Sequence, residues 1–124
     1  VYKRQVMYQE MVTARGYSLS QYVDLVSSNA AKIMGLYPRK GAIAPGSDAD
    51  ITLLDPEEAR VVRNEDLHES DYTPWEGKEV SAWPVLTSLR GKIVVENGCF
   101  LAEESDGRYL SRRISDDILG GAAL

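Results

Sequence analysis

Few residues in this chain can do chemistry. Among 124 residues there is one histidine, one cysteine and one phenylalanine. A single cysteine excludes an internal disulfide, and a reducing cytoplasm is the compartment expected for such a chain. A single histidine leaves no multi-histidine metal site to assemble. No apolar run approaches the roughly 18 residues of a membrane helix, and no charged-then-apolar signal opens the chain. Cations are in deficit, 14 Lys and Arg against 19 Asp and Glu, giving a formal charge of −5. That balance excludes a nucleic-acid footprint, which needs clustered positive charge to displace counterions. The length suits one modest domain.

What is present is ordered in two halves. Residues 1–5, Val-Tyr-Lys-Arg-Gln, carry no capping residue and read as a non-native leader. Met7, Tyr8, Met11 and Val12 recur at helical spacing, and Gly16 is placed to stop that helix. Ser18 and Gln21 predict a capping box, with Tyr17 and Tyr22 stapled over it. Leu19, Tyr22, Val23 and Val26 give the second helix one apolar stripe. Asn29 is expected to cap a third helix, Ala30 to Met34, that ends at Gly35. After Tyr37-Pro38 the period becomes that of strands. Pro45-Gly46 predicts a type II turn, and Ile51 to Leu54 a strand buried on both faces. Arg60 to Arg63 suggests a short strand, and 64–77 a polar loop with an aromatic tip. Val85–Leu89, Ile93–Val95 and Cys99–Leu101 make a meander turned by Arg90-Gly91 and Asn97-Gly98. From Ala102 the tail is expected to be mobile or held by a partner. Helices followed only by strands imply α+β. The helices have too little sheet to bury against, which itself suggests a piece of a larger protein.

Three blocks carry a family resemblance. Asn29 to Pro56 includes Tyr37-Pro38-Arg39-Lys40-Gly41 and Gly46-Ser47-Asp48-Ala49-Asp50. His68-Glu69-Ser70-Asp71-Tyr72-Thr73-Pro74-Trp75-Glu76-Gly77 is the second block, and Trp83-Pro84-Val85 through Gly98 the third. In order and spacing they resemble the C-terminal part of cyclic amidohydrolases of the dihydropyrimidinase and hydantoinase group. The resemblance covers roughly residues 6–110 and implies an (α/β)8 barrel joined to a small β-sandwich. Residues 6–37 are then the terminal barrel helices and 38–101 the C-terminal share of the sandwich, with its long loop at 64–77 and the tail at 102–124. It also implies hydrolysis of dihydropyrimidines or hydantoins to N-carbamoyl amino acids by two divalent metal ions, expected to be zinc, in a homotetramer. The family's ligands are four histidines, a carboxylated lysine and an aspartate. They would lie upstream of residue 1, so no catalytic, substrate-binding or metal residue is expected here, and the piece alone is expected to be inactive. An allantoinase, or a collapsin-response scaffold without metal ligands, is the alternative.

Each chemically suggestive residue has a plainer reading. His68, with no second histidine nearby, is expected to order its acidic loop. Asp48 and Asp50, at i and i+2, have the spacing for a hard cation. Asp48 is instead expected to bond backbone in the turn and Asp50 to open the strand. Lys32 resembles a metal-bridging lysine only superficially and reads as a helix-end charge, while Asn29 reads as a cap rather than a substrate amide. Cys99 lacks a neighbouring base and is expected to be small and buried. Met7, Met11 and Met34 read as core. Gly35, Gly41 and Gly46 form no phosphate cradle. Tyr72, Pro74 and Trp75 are expected to be an exposed cluster that covers a barrel or neighbouring subunit in the whole enzyme. Arg108 to Arg113 either crosses a subunit interface or is a solvated tail.

Overall fold

The computed structural model describes residues 2–67, 71–103 and 107–121. Helix α1, Lys3–Tyr8, runs on into π-helical turns at Gln9–Thr13. Gly16, at φ +70°, ends it in the left-handed conformation that glycine adopts at little cost. The predicted capping box is formed: the Gln21 N–H donates to Ser18 Oγ at 3.2 Å, and the Ser18 N–H to Gln21 Oε1 at 2.9 Å. Tyr22 does not staple to Tyr17. It packs edge-on against Tyr8 with ring centroids 5.5 Å apart, and its hydroxyl donates to the Arg4 carbonyl. Tyr17 is exposed.

Asn29 is not an N-cap. Helix α2, Leu19–Val23, passes through π turns at Asp24–Ser28 directly into α3, Asn29–Ile33, so Asn29 lies inside one helical run at φ −67° and ψ −37°. Its side chain accepts from Lys32 Nζ at 3.4 Å. The end of α3 was legible. The Gly35 N–H donates to Lys32 O at 3.0 Å and the Leu36 N–H to Ala31 O at 2.8 Å, a Schellman closure around a left-handed Gly35.

The strands form two antiparallel sheets. One has the order β1-β4-β5-β6, built from Thr52–Asp55, Trp83–Leu89, Lys92–Glu96 and Cys99–Phe100. Arg90-Gly91 and Asn97-Gly98 have positive φ at both positions, the requirement of tight hairpin turns that follow the strand twist. Proline inside a central strand needs a bulge because it offers no N–H. The β1–β4 register slips between Leu53 and Leu54, where Leu54 faces Pro84. The other sheet pairs β2, Arg60–Val61, with β3, Glu79–Val80. Sequence periodicity missed β3, a two-residue strand whose partner lies across the 64–77 loop. Between the sheets, Ala82 is fully buried at φ +60°.

The core sits between α1 and the β2–β3 pair. Tyr2, Val6, Val62 and Val80 are buried together, with Leu67, Trp75 and Trp83 packed against them. Of residues 2–5, set apart in the sequence as part of a leader, Tyr2 joins this core because it finds both apolar and polar partners. Its ring lies 5.8 Å from that of Trp83 and its hydroxyl donates to Arg63 O at 3.0 Å. Gln5 is buried as well.

Much apolar surface has no cover. Leu19, Val23, Ile33 and Met34 are each about half exposed or more, so the expected burial fails at Leu19 and Val23 of the stripe and at Met34, while Tyr22 and Met11 are buried. Leu53 is 50% exposed, so β1 is not buried on both faces. Cys99 is exposed rather than buried, because β6 is a sheet edge with both its residues open to solvent.

Candidate functional site

Two features could hold a function: a cleft and a charge cluster at its rim. The cleft encloses about 720 Å³ between the α2–α3 run and strand β1. Its helix wall includes Tyr22, Val23, Val26 and Met34, and its sheet wall Ile51, Thr52 and Leu54. Arg4 reaches over it, with Nη1 donating to Thr52 Oγ1 at 3.2 Å. Ser28 Oγ donates to the Gly41 carbonyl at 2.9 Å and fixes the linker against the helix. Gly41, at φ +77°, approaches so closely that an added Cβ would lie 2.5 Å from Ala31 Cβ.

The cluster gathers at the cleft rim. Lys40 Nζ contacts Asp48 Oδ2 at 2.9 Å and is also paired with Asp50, while Arg39 Nε donates to Asp48 Oδ2 at 3.1 Å. The remaining oxygen of Asp50, Oδ1, accepts the Arg90 N–H of the β4–β5 turn at 2.8 Å. Asp48 was expected to bond the turn backbone; its Oδ2 is instead taken by Lys40 and Arg39. The turn closes without it, through Ser47 N–H to Ala44 O at 3.0 Å with Gly46 at φ +91°, the predicted type II geometry. Partial burial acts to lower the Lys40 pKa, but hydrogen bonds to Asp50 and Asp48 outweigh it and hold the ammonium above its ordinary value. The hydrogen bond from Lys40, aided by Arg39, holds the Asp48 carboxyl below its ordinary value.

This cluster was missed in the sequence. Its signal was symmetry: Arg39-Lys40 and Asp48/Asp50 flank Pro45-Gly46, so the turn folds opposite charges onto one another. Chemically the two carboxylates with the spacing for a hard cation both pair with Lys40. Among the described residues, no group of three or more His, Cys, Asp and Glu side chains is placed to hold a metal ion. The described donors do not fit a divalent metal centre.

The other singled-out residues lie apart. Lys32 stands 5.6 Å over the Tyr37 ring, a helix-end cation on an aromatic face. His68 lies outside the described residues. Trp75 packs against the core and does not share the exposure of Tyr72. No helix among the described residues is long and apolar enough to cross a membrane.

A sequence profile described as the amidohydrolase family matches residues 1–94, and the chain belongs to that family. Within it, the chain is similar to hydantoinases. It is 42% identical to a D-hydantoinase of Ralstonia pickettii over 91% of this chain and 25% of that protein. Of solved structures, D-hydantoinase from Bacillus sp. AR9 superposes with a TM-score of 0.86 at 40% identity, covering 91% of this chain and 25% of the other. Dihydropyrimidinase from Brevibacillus agri superposes with a TM-score of 0.85 at 39% identity, covering 90% and 24%. The chain therefore spans about a quarter of the length of these relatives. Its α+β fold with a small sheet is that of the corresponding quarter.

Proposed function

We propose that this chain is the C-terminal part of a hydrolase that opens cyclic amides, converting dihydropyrimidines or hydantoins to N-carbamoyl amino acids. The observation that carries this reading is the 42% identity to a D-hydantoinase along 91% of the chain. In this reading residues 6–37 are the last helices of an (α/β)8 barrel. Residues 38–101 are the C-terminal strands of a small β-sandwich, with the loop at 64–77, and 102–124 form the tail. The chain's part is structural: it closes the barrel wall and completes the sandwich. It supplies no catalytic, substrate-binding or metal residue.

Two divalent metal ions, zinc by family resemblance, would activate the hydrolytic water from ligands elsewhere in the whole protein. That protein would be a cytoplasmic homotetramer. The uncovered Leu19, Val23, Ile33 and Leu53 support the reading, since they are apolar surfaces of a kind that a larger protein buries.

Two experiments test it. The first reads the coding DNA upstream of Val1 for the His-x-His pair, the bridging lysine, two further histidines and the aspartate. Their replacement would make the protein a scaffold rather than an enzyme. The second substitutes this chain for the matching quarter of the Ralstonia pickettii D-hydantoinase. Ring opening of hydantoin is expected from the chimaera and none from the chain alone. Turnover by the isolated chain would overturn the structural assignment.

A further inference from the structure

The β5–β6 turn brings a side-chain amide next to an unhindered backbone nitrogen. Of the chain's asparagines, Asn29, Asn64 and Asn97, only Asn97 precedes a glycine. The backbone nitrogen after an asparagine is one ring closure away from that asparagine's Cγ. A Cβ on the following residue crowds the approach, and glycine has none.

The hairpin leaves both reacting groups open. Asn97 and Gly98 are exposed, at φ +48° and φ +81°, and a Cβ on Gly98 would meet no heavy atom within 4 Å. The Asn97 N–H donates to the Val85 carbonyl at 2.8 Å, whereas no backbone carbonyl among the described residues takes the Gly98 N–H. The Asn97 carboxamide makes no hydrogen bond among the described residues. The other two differ. Asn29 lies inside the helical run with Oδ1 accepting from Lys32, and Asn64 Oδ1 is buried. Ring closure also requires Asn97 to rotate out of its turn conformation. Strand β6 permits this, since it is an edge of two exposed residues and such pairing opens at low cost.

We propose that Asn97-Gly98 is a self-modification site, where the Asn97 carboxamide converts without an enzyme to aspartate and isoaspartate, and that the isoaspartyl form unpairs β6. The Gly98 nitrogen loses its proton to solvent base and bonds to Asn97 Cγ. The Cγ–Nδ2 bond breaks and ammonia leaves, giving a cyclic imide. Water then opens the imide. Cleavage at Cγ leaves aspartate, and cleavage at the backbone carbonyl leaves isoaspartate. One water is consumed, one ammonia is released, and nothing is oxidised or reduced. Both products place a new carboxylate beside Glu96. Isoaspartate also adds a methylene to the main chain inside a two-residue turn, so the Glu96–Cys99 pair loses its register. The reaction draws on no other part of the whole protein.

Ageing of the folded 124-residue chain in mildly alkaline buffer, followed by trypsin digestion and mass spectrometry, tests the site. The peptide 93–108 is expected to gain the mass of OH replacing NH2, localised to Asn97 by fragmentation. The gain should quicken as pH rises, because the attacking nitrogen must lose a proton. Peptides 16–32 and 64–78, which hold Asn29 and Asn64, are expected to stay unconverted, and Asn97→Gln to lose the gain in 93–108. Conversion in urea but not in the folded chain would mean that the hairpin locks the pair, and would overturn the proposal. Equal conversion at all three asparagines, or none at Asn97, would do the same. In the isoaspartyl fraction the Leu101 amide, bonded to Val94 O, should exchange on the order of tenfold faster. The Ser88 amide, bonded to Ile51 O, should not change. An unaltered Leu101 amide in that fraction would overturn the unpairing of β6.

Discussion

Replacing Gly41 by alanine should be among the costlier single-methyl additions in this chain, and its cost can be divided in advance. Two penalties apply. Alanine at φ +77° sits in the left-handed region, at about 1–2 kcal/mol. Its methyl would also stand 2.5 Å from Ala31 Cβ, 3.2 Å from Ser28 Cα and 3.3 Å from Ser27 O. Two of those three atoms are backbone atoms of a helix and cannot swing aside, so overpacking adds about 1–3 kcal/mol. Gly41→Ala is therefore expected to cost about 2–5 kcal/mol of the 5–15 kcal/mol typical of a domain. Ala31→Gly alone should cost about 2 kcal/mol, from helix propensity and a lost buried methyl. The double variant moves the methyl across the contact and removes the 2.5 Å overlap with Ala31, though not the approach to Ser28 and Ser27. It should be more stable than the sum of the single effects by about 1–3 kcal/mol, leaving the backbone penalty in place. Urea titrations of the four proteins, with midpoints read at constant slope, give the cycle. A Gly41→Ala cost below about 1 kcal/mol, or strict additivity, would refute the close packing of linker on helix.

Other outcomes follow from the same contacts. Asp48 has a folded pKa depressed below 3.8, so its contribution is present above that pH and fades as pH falls through the lower, folded value. Asp48→Asn should flatten the acid limb of the urea midpoint measured against pH below about 4, and an unaltered limb would exclude the cluster as its source. Val80→Ala, at a fully buried site, should cost about 2 kcal/mol in the same titration. Tyr2→Phe removes the bond to Arg63 O and should cost about 1 kcal/mol, whereas a true leader would lose nothing. Cys99 should react with a thiol reagent to one equivalent without denaturant, and a requirement for urea would mean that β6 is covered.

Local chemistry in the sequence was readable wherever one residue decides a conformation. Ser18 with Gln21, Gly35, Pro45-Gly46 and Asn97-Gly98 each set a cap or turn from their own side chain or φ, and each is found where it was expected. What failed depended on neighbours distant in sequence. Asn29 looks like a cap, but the π turns before it carry the helix through without a break, and no proline or glycine marks them. Leu53 and Cys99 were assigned to a core that the residues present do not supply. The β2–β3 pair is too short for any period to show. The candidate site was less legible than the fold. Lys40, Asp48 and Asp50 are separated by a turn whose type was predicted, yet their pairing was read only after the turn was closed.

The two tight turns also set an order of assembly. Strands β4, β5 and β6 follow one another through two-residue connections, so each pairing closes a short loop and loses little chain entropy. Strand β1 is made much earlier than β4, its partner among the described strands, and Asp55 must wait for Trp83 before that ladder can form. Among the described strands, Leu53 and Leu54 therefore have no partner to pair with until the β2–β3 region and its loop have been added. The charges around them, Asp48, Asp50 and Asp55, would keep that waiting strand from pairing with another chain. The meander then arrives as a formed template, and β1 joins it as the last strand of the sheet rather than the first.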